Sequence, residues 1–203
     1  MARARRRHVA LAVTSLVYET HSLTTDNAAG IATGWLPGAL SAEGRRQAGL
    51  LGQRRRADGI DAVFSSDLGR AVETVRIAFS GCDIPVVLDA RLRECDYGRL
   101  TGCPVSLLEP ERTGRIDLPF PGGQSYRDVV DATADLLADL ATGGWSRVLL
   151  IAHSANRWAL QHLLLGAPLE DLVGAAFQWR PGWEFILPQG WSRSGARRAT
   201  SSG

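Results

Sequence analysis

Apolar residues along this chain fall in short dense blocks, separated by stretches of helical period. Val9 to Tyr18, Ala62 to Ser65, Ile84 to Asp89 and Val148 to Ala152 are such blocks. Near-continuous apolar runs of strand length are how strands covered on both faces read. Ser41 to Arg56, Asp67 to Phe79, Tyr126 to Ala141 and the segment after His153 predict helices. Ser41 is placed to cap the first of these, and Ser125 with Asp128 three residues on resembles a capping box. Glu184 to Leu187 predicts a last strand, at an edge. Strands alternating with helices predict an α/β fold: a single three-layer domain, a mainly parallel sheet with helices on both faces. Two irregular stretches, Ser22 to Leu40 and Arg91 to Gly123, each follow a strand and can close over the same end of the sheet. Loops of that length in a compact domain are usually functional or poorly ordered. The division expected is a basic arm over 1–8, a catalytic domain over 9–188 and a disordered tail over 189–203, rich in Ser, Arg and Gly.

The 203 residues are enough for one domain with a real core, and 45% hydrophobic with 22% charged is ordinary for a soluble chain. A net charge of +2 gives no general argument for nucleic acid or an anionic membrane surface. All 23 basic residues are arginine, which excludes Schiff-base and P-loop lysine chemistry. Cys82, Cys95 and Cys103 are odd in number and lack paired metal-ligand spacing, so reduced thiols in a cytoplasmic protein are expected. Met1 to Arg7 followed by Val9 to Val17 mimics a signal peptide, but Thr14 and Ser15 interrupt the run. No stretch approaches the roughly 18 apolar residues that a membrane helix needs. The assembly stays open, a homodimer through an edge strand or a surface helix included.

Candidate chemistry gathers at strand ends. His21 closes the first apolar block, His153 closes the fourth, and Arg70 follows the second. Ligands of open α/β sheets bind beyond the carboxyl ends of the strands. Two imidazoles and a guanidinium arriving there point to phosphoryl chemistry at a histidine. His8 in the arm and His162 inside a helix are read as structural or exposed, and Arg54 to Arg56 as a solvated helix terminus.

Five ordered motifs carry a resemblance. After His21 come Asn27 and the Gly34-Trp35 pair, then Leu40-Ser41-Ala42-Glu43-Gly44-Arg45-Arg46-Gln47-Ala48. Next are Ser65-Ser66-Asp67-Leu68-Gly69-Arg70-Ala71-Val72-Glu73-Thr74 and Leu92-Arg93-Glu94-Cys95-Asp96-Tyr97-Gly98. Pro121-Gly122-Gly123-Gln124-Ser125 and Val148-Leu149-Leu150-Ile151-Ala152-His153-Ser154 complete the set. Over about residues 9 to 187 the chain resembles the histidine phosphatase superfamily, also called phosphoglycerate-mutase-like.

The resemblance implies a phosphomonoesterase acting on a small phosphorylated metabolite, with no metal or organic cofactor. His21 would be the nucleophile that forms a phosphohistidine. His153 would donate hydrogen bonds to the phosphoryl oxygens, and Arg70 would fork onto two of them. Glu94 would protonate the leaving oxygen and then activate water, with Asp96 a weaker alternative. Thr20, Ser22, Asn27, Ser154 and Arg157 are candidate substrate contacts, while Trp35 is expected to pack the loop.

One departure matters: the family has an arginine directly before the nucleophilic histidine and a glycine after it, where this chain has Thr20 and Ser22. Losing one preorganised transition-state donor costs about 10²–10³ in rate. Another arginine could fill the space, with Arg157 and Arg99 as candidates. The scaffold could instead serve a less anionic substrate in another reaction, or bind a phosphorylated ligand without turnover.

Overall fold

The computed structural model describes residues 13–176 and 180–193. His8 and the start of the first predicted strand lie outside them, as does most of the predicted tail. Five strands form one sheet: β1 (Val13–Thr20), β2 (Ala62–Ser65), β3 (Val86–Leu88), β4 (Arg147–Ala152) and β5 (Trp183–Pro188), in the order β3-β2-β4-β1-β5. β1 runs parallel to β4, β4 to β2 and β2 to β3, while β5 pairs antiparallel with β1 and closes one edge. This is the mainly parallel α/β sheet that the alternating pattern predicts.

Side chains alternate across β1 and so feed two separate cores. Leu16 and Tyr18 pack with Leu136, Leu137 and Leu140 of α5 (Tyr126–Leu140) and with Leu160 of α6 (Ser154–Leu165). Val17 packs on the opposite face with Leu51 of α2 (Ala42–Arg55) and Val75 of α3 (Gly69–Ala78). A third cluster lies beyond the sheet, where Tyr97, Leu108 and Phe120 meet Tyr126 and Trp158. Three short helices complete the fold: α1 (Thr25–Ala28), α4 (Val105–Leu108) and α7 (Leu169–Gly174).

Local chemistry sets the boundaries. Ser41 caps α2 by accepting from the Gly44 N–H, and Ser125 with Asp128 forms the reciprocal capping box of α5. α3 begins at Gly69 rather than Asp67, because the Ser66 hydroxyl takes the Leu68 N–H and holds the intervening residues in a turn. β3 stops at Leu88, where the Asp89 carboxylate accepts from the Arg91 N–H and opens a 3₁₀ turn.

The arginine run at the end of α2 is not the solvated terminus expected. Glu19 on β1 is 3% exposed, and Arg55 and Arg54 reach it at 2.8 and 3.3 Å. Arg56 instead donates to the Ala78 and Ile77 carbonyls at the end of α3. A carboxylate this buried needs partners, and the run supplies them from the neighbouring layer.

Candidate active site

The carboxyl ends of β1, β2 and β4 deliver the predicted groups to one place. His21 extends the β1–β4 ladder by one bond, its N–H donating to the Ala152 carbonyl at 3.0 Å. His153 follows β4 as the N-cap of α6, its backbone N–H donating to Asn156 Oδ1. Arg70 sits in the first turn of α3, directly beyond β2. The two imidazole rings lie 5.0 Å apart, centre to centre.

Arg70 joins them. Its Nε donates to His21 Nε2 at 3.3 Å and its Nη2 reaches His153 Nδ1 at 3.2 Å. Nη1 and Nη2 also donate to the Leu36 and Gly34 carbonyls, both at 2.9 Å. One guanidinium therefore ties both rings to the 22–40 loop, a four-way contact that lysine's compact ammonium does not match. Gly34 is required there: at φ +51° an added Cβ would stand 2.9 Å from Thr101 Oγ1.

The partners also fix the tautomers. Because Arg70 can only donate, His21 Nε2 and His153 Nδ1 are both acceptors. His21 then carries its proton on Nδ1 and donates it to the Ser22 carbonyl at 2.8 Å. His153 carries its own on Nε2, 2.9 Å from the Ser66 hydroxyl. Burial and the adjacent Arg70 charge favour these neutral forms, pushing His21 down to about 3 and His153 well below its ordinary value. His21 Nε2 thus holds an unprotonated lone pair at neutral pH.

Glu94 is 8% exposed, and its Oε1 accepts from the Cys95 N–H at 2.8 Å. Burial raises its pKa, against the opposing pull of that N–H and of the Arg70 and Arg112 guanidiniums. The segment around it is braced by Trp35, whose indole N–H donates to the Glu94 carbonyl at 2.6 Å under the Arg93 guanidinium. Arg93 in turn grips Asp67 with two bonds of 2.7 and 2.6 Å.

The two irregular stretches do close over this end of the sheet. Val105 N–H donates to the Gly30 carbonyl, while Ala32 N–H donates to the Cys103 carbonyl and its own carbonyl accepts from the Gly102 N–H. Together they roof a cavity of about 770 Å³. His21, Arg70, Glu94, Thr20, Ser22, Asn27 and Ser154 all line it.

Two predicted residues are placed otherwise. His153 is fully buried beneath the cavity floor and reaches it through Arg70. Arg157 does not line the cavity; it lies 4.8 Å over the Trp183 ring. Arg99 and Asp96 are also outside the lining, the Asp96 carboxylate accepting from the Gly98 N–H to form a turn. Asn27 has a second task as the capping-box partner of Thr24. The sequence reading missed Ser66, Arg112 and Trp158. Ser66 directly follows β2, so the strand-end rule that found both histidines could have found it. Arg112 lies within an irregular stretch and carries no such signal. Among the described residues, no three His, Cys, Asp or Glu side chains are grouped to hold a metal ion. No described helix is long and apolar enough to cross a membrane.

Comparison with known proteins agrees with the fold. Probable phosphoglycerate mutase GpmB of Yersinia enterocolitica is 35% identical over 159 residues, 73% of this chain and 73% of the relative. A mycobacterial glucosyl-3-phosphoglycerate phosphatase superposes with a TM-score of 0.70 at 26% identity, over 79% of this chain and 84% of the other. YhfR of Bacillus stearothermophilus shares the fold at a TM-score of 0.74 and 24% identity, over 87% of this chain and 96% of its own. Residues 20–178 match the family profile of the histidine phosphatase superfamily, branch 1, and the chain belongs to that family.

Proposed function

We propose that the protein is a phosphomonoesterase that acts on a small phosphorylated metabolite through a phosphohistidine on His21. The observation that carries this reading is the Arg70 bridge between two imidazoles 5.0 Å apart, at the floor of the cavity. A neutral ring with its lone pair on Nε2 is a competent nucleophile toward phosphorus.

In the first step His21 Nε2 attacks phosphorus and the bond to the leaving oxygen breaks. Glu94, whose carboxyl burial pushes up from its ordinary value, gives that oxygen its proton, and a neutral alcohol departs. Arg70 turns from the rings toward the phosphoryl oxygens, where its charge meets the developing negative charge. In the second step the Glu94 carboxylate takes a proton from water, the water oxygen bonds to phosphorus and the bond to His21 breaks. Phosphate leaves, and both residues return to their starting forms. His153 acts through Arg70, and Ser66 holds its ring. Thr20, Ser22, Asn27 and Ser154 contact the substrate.

Support for hydrolysis also comes from the mycobacterial phosphatase, whereas the Yersinia relative is named a probable mutase. Thr20 favours a second reading, a less anionic substrate on the same scaffold, because it puts one hydroxyl where the family has a guanidinium.

The experiment is release of phosphate from an aryl phosphate by wild-type protein and His21→Ala, with melting temperature measured in parallel. Turnover by wild type alone, with an acid-labile phosphoprotein trapped on quenching, supports the proposal. Equal silence of both proteins over a broad panel of phosphate esters refutes it.

A further inference from the structure

The floor of the cavity carries less positive charge than a doubly charged ester calls for. Among the described residues four arginines line the cavity, and three of them are answered by carboxylates: Arg46 by Glu43 at 2.6 Å, Arg54 by Glu19 at 3.3 Å and Arg112 by Glu109 at 3.5 Å. Arg70 has no such ion pair among the described residues; its donors go to two ring nitrogens and two carbonyls. Both imidazoles beside it are uncharged near neutral pH, because burial and Arg70 itself press them down, and Glu94 can add only negative charge. The charge around the nucleophile is one positive unit at most. Hydroxyls fill out the rest of the floor. Thr20 and Ser22 flank His21 in sequence, Ser154 follows His153, and all three line the cavity. A hydroxyl holds an oxygen without adding charge. A phosphomonoester carries a charge of about −1.5 to −2 at pH 7, whereas a phosphodiester has no second ionisation and carries a single negative charge that Arg70 alone balances.

The shape of the cavity points the same way. Val17 of β1 packs with Leu51 of α2 and Tyr18 with Leu160 of α6, so these helices cover opposite faces of the sheet. The cavity is lined from both: by Gln47 and Leu50 of α2, and by Trp158 of α6 with Val105 and Leu108 of the roof. It straddles the carboxyl end of β1, and His21, at that end, stands between its two arms. At about 770 Å³ it falls among cavities that enclose drug-sized molecules. A monoester has one substituent to place there, and a diester has two.

We infer that the site accepts phosphodiesters, one substituent leaving on the Glu94 side and the other staying bound along α2. The inference rests on His21 as nucleophile, as the phosphomonoesterase reading does, and goes beyond it in the charge of the substrate and in its second ester bond. His21 Nε2 bonds to phosphorus as the bond to the leaving oxygen breaks, and Glu94 gives that oxygen its proton. The intermediate is a phosphohistidine that still bears the second substituent. Glu94 then takes a proton from water, the water oxygen bonds to phosphorus and the bond to His21 breaks. The product is a phosphomonoester.

The test compares methyl 4-nitrophenyl phosphate with 4-nitrophenyl phosphate, which share a leaving group and differ only in the second ester. Wild-type full chain should turn over the diester with a kcat/KM at least equal to that for the monoester. Between about pH 7.5 and 6.0 the monoester takes up a proton and the diester does not. The ratio of monoester to diester kcat/KM should then climb as pH falls, by up to about tenfold per unit, because enzyme ionisations cancel in the ratio. Thr20→Arg should shift the preference toward the monoester by about 10²–10³-fold, and its diester turnover reports that the variant is folded. Bis(4-nitrophenyl) phosphate carries a bulky retained group, so Leu50→Trp should lower its turnover severalfold relative to the methyl diester.

A diester kcat/KM below that of the monoester, a ratio that does not change with pH, equal response of both diesters to Leu50→Trp, or diester cleavage that survives His21→Ala overturns the inference. Monoester turnover without diester turnover leaves the phosphomonoesterase reading and removes this one. Diester turnover lost in His21→Ala, with no monoester turnover, does the reverse. Silence toward both esters removes both readings.

Discussion

Two buried imidazoles and one buried carboxyl make opposite contributions to acid stability, and removing the carboxyl should expose the imbalance. His21 and His153 both start from an ordinary value of 6.5 and are lowered in the folded protein, His21 to about 3. A group whose folded pKa is depressed stabilises the fold fully above its unfolded pKa, and that stability is lost as pH falls toward the folded value. Between pH 7.5 and 5.0, each ring that stays neutral in the fold costs about 2 kcal/mol, from the linkage relation with an unfolded pKa of about 6.5. Two rings together cost about 4 kcal/mol, an upper limit because His21 is only half-buried. Glu94 acts in reverse: its raised pKa makes the folded state hold a proton that the unfolded chain releases, so it returns stability as pH falls. Wild type should therefore lose less than the two rings alone dictate. Glu94→Gln, of nearly the same shape but without that proton, should lose the full amount. The assay is urea unfolding of both proteins at several pH values from 7.5 to 5.0, read as unfolding free energy against pH. Above pH 5 the paired surface carboxylates are ionised in both states and drop out. A pH slope in Glu94→Gln equal to or shallower than wild type would refute the reasoning, as would a flat wild-type profile.

Four further outcomes are expected. Glu94→Gln should lower kcat on an aryl phosphate by about 10²–10⁴, the usual worth of a positioned acid and base, and an unchanged kcat would remove Glu94 from the mechanism. Thr20→Arg should raise kcat/KM by about 10²–10³, mostly through KM, and no change would mean that another cation already serves the phosphoryl group. Trp35→Phe removes the 2.6 Å bond to the Glu94 carbonyl; a loss of about 1 kcal/mol of positioning corresponds to a fall in kcat of about fivefold with KM little altered. Gly44→Ala would put a Cβ 1.9 Å from the Leu23 carbonyl oxygen and should cost about 1–3 kcal/mol in urea unfolding, whereas Gly49→Ala, with nothing within 4 Å, should be neutral or stabilising.

Much of the site was legible because its residues end strands. Apolar runs of strand length locate β1, β2 and β4, and the chemistry of a parallel sheet gathers at their carboxyl ends, so His21 and His153 declare themselves. Arg70 stood out in the same way, directly beyond the run of β2, whereas Glu94 needed the family motifs, since a carboxylate in a loop has no period of its own. What stayed hidden depends on contacts between layers. The burial of Glu19, and hence the task of Arg54 and Arg55, follows from α2 lying over β1, which no local pattern encodes. Arg157 looked like a pocket arginine by its spacing from His153. Only the antiparallel pairing of β5 with β1 puts Trp183 where it takes that guanidinium instead. Arg112 was invisible for a similar reason: its surroundings come from α5 and α6, distant in sequence.

Threonine at position 20 has a consequence beyond the lost donor. Glu94 serves as an acid only while it holds its proton, a form that burial favours and that Arg70 and Arg112 already pull against. A further guanidinium beside His21 would pull in the same direction, lowering the carboxyl further and pressing the imidazoles more deeply neutral. Phosphate binding would improve while the supply of the leaving-group proton declined. A guanidinium at position 20 should therefore separate two quantities usually expected to move together: KM for the dianionic ester falls, and the alkaline limb of kcat shifts to lower pH as Glu94 gives up its proton sooner. The native hydroxyl sets the opposite balance, with weaker hold on the phosphoryl group and a proton donor that stays charged with its proton nearer to neutral pH.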